Sequence, residues 1–194
     1  MILRDDAIDA LAQWHAPDQQ QARLRVLYLQ HLEQHPDAMS RTCNPDHLTA
    51  SAIIFSADHG QVLLTLHHVM KRWLQTGGHC EPGDTSLVGA ALREAVEESG
   101  IDGLHIDPVP ALLSRHEVPA CGPIRPSHHL DVQYVAVATV DAQPVISAES
   151  DDLAWFDHDN LPDSTDHSVR ALIAAARTRL QGNPWPAPSA GTPR

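Results

Sequence analysis

The sequence predicts an α/β fold in which a mixed β-sheet is sandwiched between helices. Strand-like segments rich in apolar and β-branched residues lie at 47–57, 61–68 and 130–140. A helical pattern ends at Gly100, between the second and third of these segments, and a further helical pattern covers 163–180. Strands on both sides of one helix, followed by another helix, are typical of a sheet covered on two faces.

The first 45 residues predict a helical extension that precedes the main domain. Apolar residues recur there at roughly helical spacing between Gln and Arg residues, and Ala16-Pro17 predicts a break between two short helices. We expect the main domain to cover residues 46–182. The Pro-, Gly- and Ser-rich segment 183–194 is predicted to be a flexible tail.

The main domain begins with a predicted hairpin, in which Asp58-His59-Gly60 joins the segments 47–57 and 61–68. A glycine-rich loop and the helix ending at Gly100 follow. Further strands are predicted at 109–116, 130–140 and 153–156, before the closing helix at 163–180. The segment 130–140 alternates apolar and polar residues, which favours a half-buried strand.

Composition narrows the classes of function. The chain has 194 residues and a net charge of −12, which argues against a nucleic-acid surface because phosphate backbones require clustered Lys and Arg. The sequence contains no run of about 18 apolar residues, so no membrane span is predicted. The N-terminus lacks the apolar core of a secretory peptide, and the three widely spaced cysteines favour reduced thiols. We therefore expect a cytoplasmic protein, and either a monomer or a homodimer is compatible with the sequence.

Fourteen histidines are unusual for a chain of this length. His67-His68, His79 and His128-His129 suggest a zinc site, but no Cys-x-x-Cys or His-Glu-x-x-His spacing accompanies them. We interpret them as surface and substrate-pocket histidines.

The most informative segment is 77–101, with the sequence GGHCEPGDTSLVGAALREAVEESGI. In a helix, Glu94, Glu97 and Glu98 stand at i, i+3 and i+4 and share one face. Carboxylates crowded in this way repel one another, and a hard divalent cation such as Mg²⁺ removes that penalty. The spacing therefore predicts a metal site.

This segment resembles the signature of the Nudix hydrolases, in which a glycine loop with a glutamate precedes Arg-Glu-aliphatic-x-Glu-Glu-x-Gly-aliphatic. The residues that match by type are Gly78, Arg93, Glu94, Glu97, Glu98, Gly100 and Ile101. Three positions depart from the pattern. Asp84 replaces the loop glutamate, eight residues instead of seven separate it from Arg93, and Ala95 replaces a larger aliphatic residue. Either Glu81 or Asp84 could supply the loop acid.

The resemblance covers about residues 45–182 and implies an α/β/α fold and hydrolysis of a diphosphate with Mg²⁺ or Mn²⁺ as cofactor. Glu94, Glu97 and Glu98 would hold the metal, with a backbone carbonyl of Gly77 or Gly78 completing its shell. Arg93 would orient Glu97, or form a surface ion pair with it. The general base would be a carboxylate of this cluster or Glu149, which follows in a later loop.

Substrate-binding residues are expected outside the motif. His67, Lys71 and Arg72 precede the glycine loop, and His129 and Asp131 begin the alternating strand. The small-molecule substrate would be a nucleoside diphosphate linked to another group, or a nucleoside triphosphate.

Two other functions remain open at this stage. One is a Nudix module that binds a nucleotide without hydrolysing it. The other is an isopentenyl-diphosphate isomerase, in which Cys80 would be the catalytic cysteine.

Overall fold

The computed structural model describes residues 2–42, 45–118, 124–147 and 150–182. It confirms the α/β sandwich with additional N-terminal helices. The helices are α1 (Leu3–Gln13), α2 (Gln19–Gln34), α3 (Leu87–Ser99) and α4 (His167–Gly182). The strands are β1 (Asp46–Phe55), β2 (Gln61–His67), β3 (Trp73–Leu74), β4 (Thr76–His79), β5 (His105–Ile106), β6 (Leu112–Glu117), β7 (His128–Val137) and β8 (Ser150–Asp157).

The strands form one mixed sheet with the backbone order β3-β2-β1-β7-β5. β1 and β7 are parallel and pair along their whole length, whereas the other pairings are antiparallel. β4 pairs with the middle of β1, β6 pairs with β7, and β8 pairs with β2. The central strands β1 and β7 therefore have partners on both sides.

Alternation along the central strands divides the core between the two faces of the sheet. On one face, Leu48 and Ala50 of β1 and Leu130 and Val132 of β7 share a buried cluster with α1, α2 and α3. On the other face, Ile53 and its neighbours pack against α4. β7 is thus buried on both faces from Leu130 to Val137, beyond the half-burial that its alternation predicted.

The N-terminal helices are tied to the sheet and to α3 by polar contacts as well as by apolar packing. A carboxylate oxygen of Asp6 accepts a hydrogen bond from the N–H of Leu87, at the start of α3, over 2.8 Å. The side-chain amide of Gln21 donates to the carbonyl of Leu113 in β6 over 3.0 Å and accepts from its N–H over 2.7 Å. Consequently, α1 and α2 take part in the same core as the main domain.

Most predicted elements are confirmed, with shifted ends. The helix break at Ala16-Pro17 and the hairpin turn at Asp58–Gly60 occur as predicted. β6 begins only at Leu112, since proline stands at positions 108 and 110, where it cannot donate a backbone hydrogen bond. The predicted glycine loop contains a strand, β4. Residues 183–194 lie outside the described residues.

None of the helices in the described ranges has the length and apolar character needed to cross a bilayer.

Candidate active site

Helix α3 is held at both ends by specific caps. Ser86 is the N-cap, and its hydroxyl accepts a hydrogen bond from the N–H of Gly89 over 3.1 Å. Gly100 ends the helix in the left-handed region, with φ of 64°. Ser86, and neither Asp84 nor Thr85 before it, therefore caps the helix. The two caps define the ends of the helix that carries the acidic motif.

The two glycines of β4 allow the backbone to approach its neighbours closely. A Cβ at Gly78 would lie 2.7 Å from Cδ and from both carboxylate oxygens of Glu94. A Cβ at Gly77 would lie 2.3 Å from Cβ of Ser51 on β1. A side chain at Gly77 would clash with β1, and one at Gly78 would displace the Glu94 carboxylate, so β4 lies directly against both neighbours.

Arg93 joins the turn before α3 to the acidic face of the helix. Its Nε and Nη2 donate to the two carboxylate oxygens of Asp84 over 3.1 and 3.0 Å, which is a bidentate pair. Nη2 also donates to the carbonyl of His79, and Nη1 donates to Glu94 and to Glu97 over 2.9 Å each. Arg93 thus contacts two of the three motif glutamates, including Glu97, as the sequence suggested.

Asp84, not Glu81, is the acid of the turn that contacts the motif. Its side chain is 8% exposed, and it also accepts a hydrogen bond from the N–H of Glu81 over 2.7 Å. Burial alone would raise the pKa of this carboxyl, but the hydrogen bonds from Arg93 and Glu81 hold the pKa below its ordinary value. The guanidinium pKa of Arg93 is raised in turn, chiefly by its hydrogen bond with Asp84. The extra residue in the loop therefore leaves an intact acid–arginine pair.

The three motif glutamates face one cleft of about 760 Å³. Gly77, Gly78 and Arg93 line the same cleft. Oxygen donors of this kind suit a hard divalent cation. Within the described ranges, the three carboxylates are not close enough together to share one metal ion. Glu97 is 57% exposed and is hydrogen-bonded to Arg93. Binding of a cation by all three would require Glu97 to turn inward.

A buried aspartate organises the floor of the cleft. Asp131 is 3% exposed, and its carboxylate accepts hydrogen bonds from the hydroxyls of Thr49 (3.0 Å) and Ser51 (2.7 Å) on the neighbouring strand. The side-chain amides of Gln133 and Gln75 approach the same carboxylate to 3.2 and 3.5 Å. A buried charge needs such compensation. This network fixes a set of polar side chains that line the cleft.

The other predicted substrate-binding residues separate into two groups. His67 and His129 line the cleft together with Asp131. Lys71 and Arg72 do not line it within the described part of the chain. Lys71 pairs with Asp151 over 2.5 Å, and Arg72 pairs with Asp166 over 2.7 Å. Glu149, one of the candidates for the general base, lies outside the described residues.

Four histidines gather at the end of the cleft that the polar strand residues line. His79, His116 and His129 line the cleft, and His47 lies behind them at 1% exposure. Burial lowers the pKa of His79 to about 4 and that of His129 to about 3, with further lowering by the neighbouring histidines. The sequence analysis did not select His47 or His116. In the sequence, each is marked only by its place near one end of a strand, His47 at the start of β1 and His116 at the end of β6.

Cys80 is buried in the core, at 8% exposure. Burial, together with the negative charge of Asp84, raises the pKa of its thiol to about 12. Such a thiol is a poor proton donor or nucleophile at neutral pH. Cys80 does not line the cleft within the described residues.

Comparison with known proteins agrees with this geometry. Residues 45–176 match the family model of the NUDIX domain. No curated protein sequence matches the chain. Among solved structures, an Ap4A hydrolase of C. elegans in a binary complex is similar with a TM-score of 0.57 and 18% identity, over 70% of this chain and 98% of that chain.

Two other structures share the fold. The dihydroneopterin triphosphate pyrophosphohydrolase of E. coli has a TM-score of 0.55 and 20% identity, over 65% of this chain and 91% of that one. The NUDIX domain of Shewanella oneidensis NrtR, complexed with ADP ribose, has a TM-score of 0.54 and 23% identity, over 69% and 87%. With the matched family model covering most of the chain and the acidic helix of that family lining its cleft, the protein belongs to the Nudix hydrolases.

Proposed function

We propose that this protein is a Mg²⁺- or Mn²⁺-dependent pyrophosphohydrolase. Its substrate would be a nucleoside diphosphate linked to another group, or a nucleoside triphosphate. The single observation that carries the proposal is the fixed position of Arg93 between Asp84 and the motif glutamates, at the wall of a large cleft. That arrangement holds carboxylates where a diphosphate can enter.

The donor set fits a hard divalent cation. Glu94, Glu97 and Glu98 would hold it, and the carbonyl of Gly77 would add a neutral oxygen ligand. Gly78 brings the backbone against the carboxylate of Glu94, which supports this assignment. When bound, the cation would neutralise phosphate oxygens and make a bound water acidic enough to attack phosphorus.

The residues of the chain would supply position and proton transfer. Arg93 would keep Glu94 and Glu97 oriented through its two Nη1 hydrogen bonds. A carboxylate of the cluster, or Glu149, would accept the proton of the attacking water. His67, His129 and Asp131 would contact the distal part of the substrate from the opposite wall of the cleft. Lys71 and Arg72 are not among the described residues that line the cleft, so any contact of theirs with the substrate would be to a part of it that extends beyond the cleft.

The shape of the cleft favours a polar substrate. Among the described residues, no phenylalanine, tyrosine or tryptophan lines it. Polar side chains that line it include Thr49, Ser51, His79 and His129. We therefore expect recognition through hydrogen bonds and phosphate contacts more than through stacking of a base.

The remaining sequence-based expectations accompany this proposal. The acidic net charge favours a small-molecule substrate over a nucleic acid. A cytoplasmic enzyme without membrane attachment, acting as a monomer or a homodimer, is the form we propose. Burial of Cys80 disfavours the isomerase alternative, because that reaction needs a cysteine at the substrate.

A hydrolysis screen tests the proposal. The purified protein is assayed with and without Mg²⁺ on nucleotide sugars, dinucleoside polyphosphates, ADP-ribose, coenzyme derivatives and oxidised nucleoside triphosphates. We expect metal-dependent turnover of at least one class. Glu98→Gln should reduce turnover by more than the roughly 10–100-fold that loss of an outer-shell partner costs.

Glu33→Gln is the matched control, since Glu33 is an exposed glutamate on α2 and lies outside the cleft. Its turnover should equal that of the wild type. Ligand binding without turnover across the panel would favour the non-catalytic module. Unchanged metal-dependent turnover in Glu97→Gln and Glu98→Gln would refute the assignment of the site.

A further inference from the structure

Three imidazoles from β1, β4 and β7 converge at the cleft. The ring centroids of His47 and His79 are 5.1 Å apart, and the ring of His129 lies 4.9 Å from each of them. One ring nitrogen of each histidine lies within 4.8 Å of the corresponding nitrogens of the other two. His116 adds a fourth ring, with its centroid 5.5 Å from that of His129.

Strand register explains why these residues meet. β1 and β7 pair in parallel with His47 opposite His129, and β6 and β7 pair with His116 opposite His129. β4 places His79 opposite Thr49, two residues beyond His47 on β1. Residues opposite each other or two apart project from the same face of a sheet. The four histidines therefore project together from three adjoining strand pairs.

Ring packing does not complete the hydrogen bonding of this cluster. Nε2 of His129 is buried and has no hydrogen-bond partner among the described residues. A buried ring nitrogen without a partner is destabilising, whereas a metal ion at the same place would use its lone pair. Backbone pairing on both sides of β1 and β7 holds the rings in this position.

The donor set selects a different metal from that of the acidic helix. Imidazole nitrogens suit Zn²⁺ and related transition metals, whereas carboxylate and carbonyl oxygens suit Mg²⁺ and Mn²⁺. A protein site of three histidines with one open position is typical of zinc. His79 and His129 line the cleft, so an open position would face the substrate space. Arg41 lines it too, and its charge favours an anionic fourth ligand.

We propose that His47, His79 and His129 bind one Zn²⁺ ion, with the fourth coordination position open to the cleft for a water or an anionic oxygen of the ligand. Tetrahedral zinc holds imidazole nitrogens at about 2.0–2.1 Å, which places them about 3.3–3.4 Å from one another. The nitrogens now lie within 4.8 Å of one another, so zinc binding would draw them closer together. The ligands of this site are distinct from the motif carboxylates, although His79 and His129 line the same cleft.

Zinc binding to the full chain, prepared without a histidine tag and stripped with a chelator, tests the proposal. Zn²⁺ is titrated in competition with a chromophoric chelator, in the presence of millimolar Mg²⁺. We expect one equivalent to bind with micromolar or tighter affinity. Replacement by Co²⁺ should give the intense visible bands of a four-coordinate ion, which six oxygen ligands do not produce.

Variants locate the ion. His129→Asn and His79→Asn should each weaken zinc binding at least tenfold, and circular dichroism checks that both variants are folded. His158→Asn is the matched control, because His158 belongs to a separate group with Asp157 and Asp159. Glu98→Gln should also bind zinc as the wild type does, which separates this site from the carboxylate site.

The proposal fails if no stoichiometric zinc binds in the presence of Mg²⁺. It also fails if His129→Asn and His79→Asn bind zinc as tightly as the wild type, or if only His158→Asn loses affinity. A cobalt spectrum of six-coordinate type would likewise overturn it.

Discussion

Gly78 lies so close to Glu94 that a methyl group on its Cα would overlap the carboxylate, at 2.7 Å from all three carboxyl atoms. β4 and α3 are consequently in direct contact at the point where the first motif glutamate enters the cleft. The glycine is needed there for space, because its Cα forms part of the surface on which Glu94 rests.

Replacement of Gly78 by alanine should displace the carboxylate of Glu94. We expect Gly78→Ala to lower kcat/KM by roughly 100-fold or more, because small misplacements of catalytic groups cost about that much. The variant should still be folded at the assay temperature, as its melting temperature will show. Gly83→Ala is the control, since a Cβ at Gly83 meets nothing within 4 Å. Equal activity of the two alanine variants would contradict the role given to Gly78.

Arg93 should be sensitive even to a change that keeps its charge. Lysine cannot reproduce the bidentate pair with Asp84 while also reaching Glu94 and Glu97. We expect Arg93→Lys to reduce activity by roughly 10–100-fold, with a weaker apparent affinity for Mg²⁺. Steady-state kinetics over a Mg²⁺ titration measures both. Arg23→Lys, at an exposed position on α2, should change neither quantity.

Asp84 should contribute to stability in a pH-dependent way. Its pKa in the folded protein is held below the ordinary value of 3.8. The unfolded chain therefore binds the proton more readily, so this contribution is present above pH 3.8 and is lost as the pH falls through the folded pKa. In Asp84→Asn, the free energy of unfolding should be lower at neutral pH and fall less steeply below pH 4.

Urea unfolding at a series of pH values measures that dependence. Glu81→Gln is the control within the same turn, because the exposed Glu81 contributes its backbone N–H to Asp84 and not its side chain. Parallel pH profiles for wild type and Asp84→Asn would show that the pair with Arg93 does not stabilise the fold.

Gln21 should matter more for stability than its position on a surface helix suggests. Its amide satisfies both the N–H and the carbonyl of Leu113, at a buried contact between α2 and β6. Gln21→Ala leaves both groups without a partner, and each buried unsatisfied group costs about 1–3 kcal/mol. Chemical denaturation should show a loss of that order, whereas the exposed Gln20→Ala should be neutral. In Gln21→Ala, the backbone amide of Leu113 should also exchange hydrogen faster than in the wild type.

Asp166 is expected to stabilise α4 at its N-terminus. Its Oδ1 accepts hydrogen bonds from the N–H and hydroxyl of Ser168, and its Oδ2 accepts one from Arg72. Loss of such a cap costs about 1 kcal/mol. Asp166→Ala should therefore lower the free energy of unfolding by that amount, and the exposed Asp163→Ala should leave it unchanged. Equal unfolding curves would contradict the capping role.

Elements specified by local pattern could be predicted from the sequence. The break at Ala16-Pro17, the turn at Asp58–Gly60 and the three-glutamate face of α3 depend on residues within one or two turns of one another. β4 was missed because Gly77 and Gly78 have low strand propensity, and pairing with β1 overrides it. Short strands such as β3 and β5 have too few residues for an alternating pattern.

The acidic part of the cleft could be predicted from local spacing, whereas its histidine part could not. Glu94, Glu97 and Glu98 are close in sequence, so helical spacing alone placed them together. His47 and His129 are opposite each other only because β1 and β7 pair in parallel in one particular register. Such a register depends on the whole sheet, and no spacing within either strand reveals it.

The hydrogen bonds of α2 also have a consequence for the order of folding. Gln21 bonds to Leu113, and the hydroxyl of Tyr28 bonds to the carbonyl of Asp131, so the partners lie 92 and 103 residues further along the chain. During synthesis, the N-terminal helices emerge long before the strands that cover them. Part of their apolar surface remains exposed until β7 has formed, and contacts of such long sequence separation slow folding. The interval before β7 appears is therefore when this protein is most exposed to aggregation.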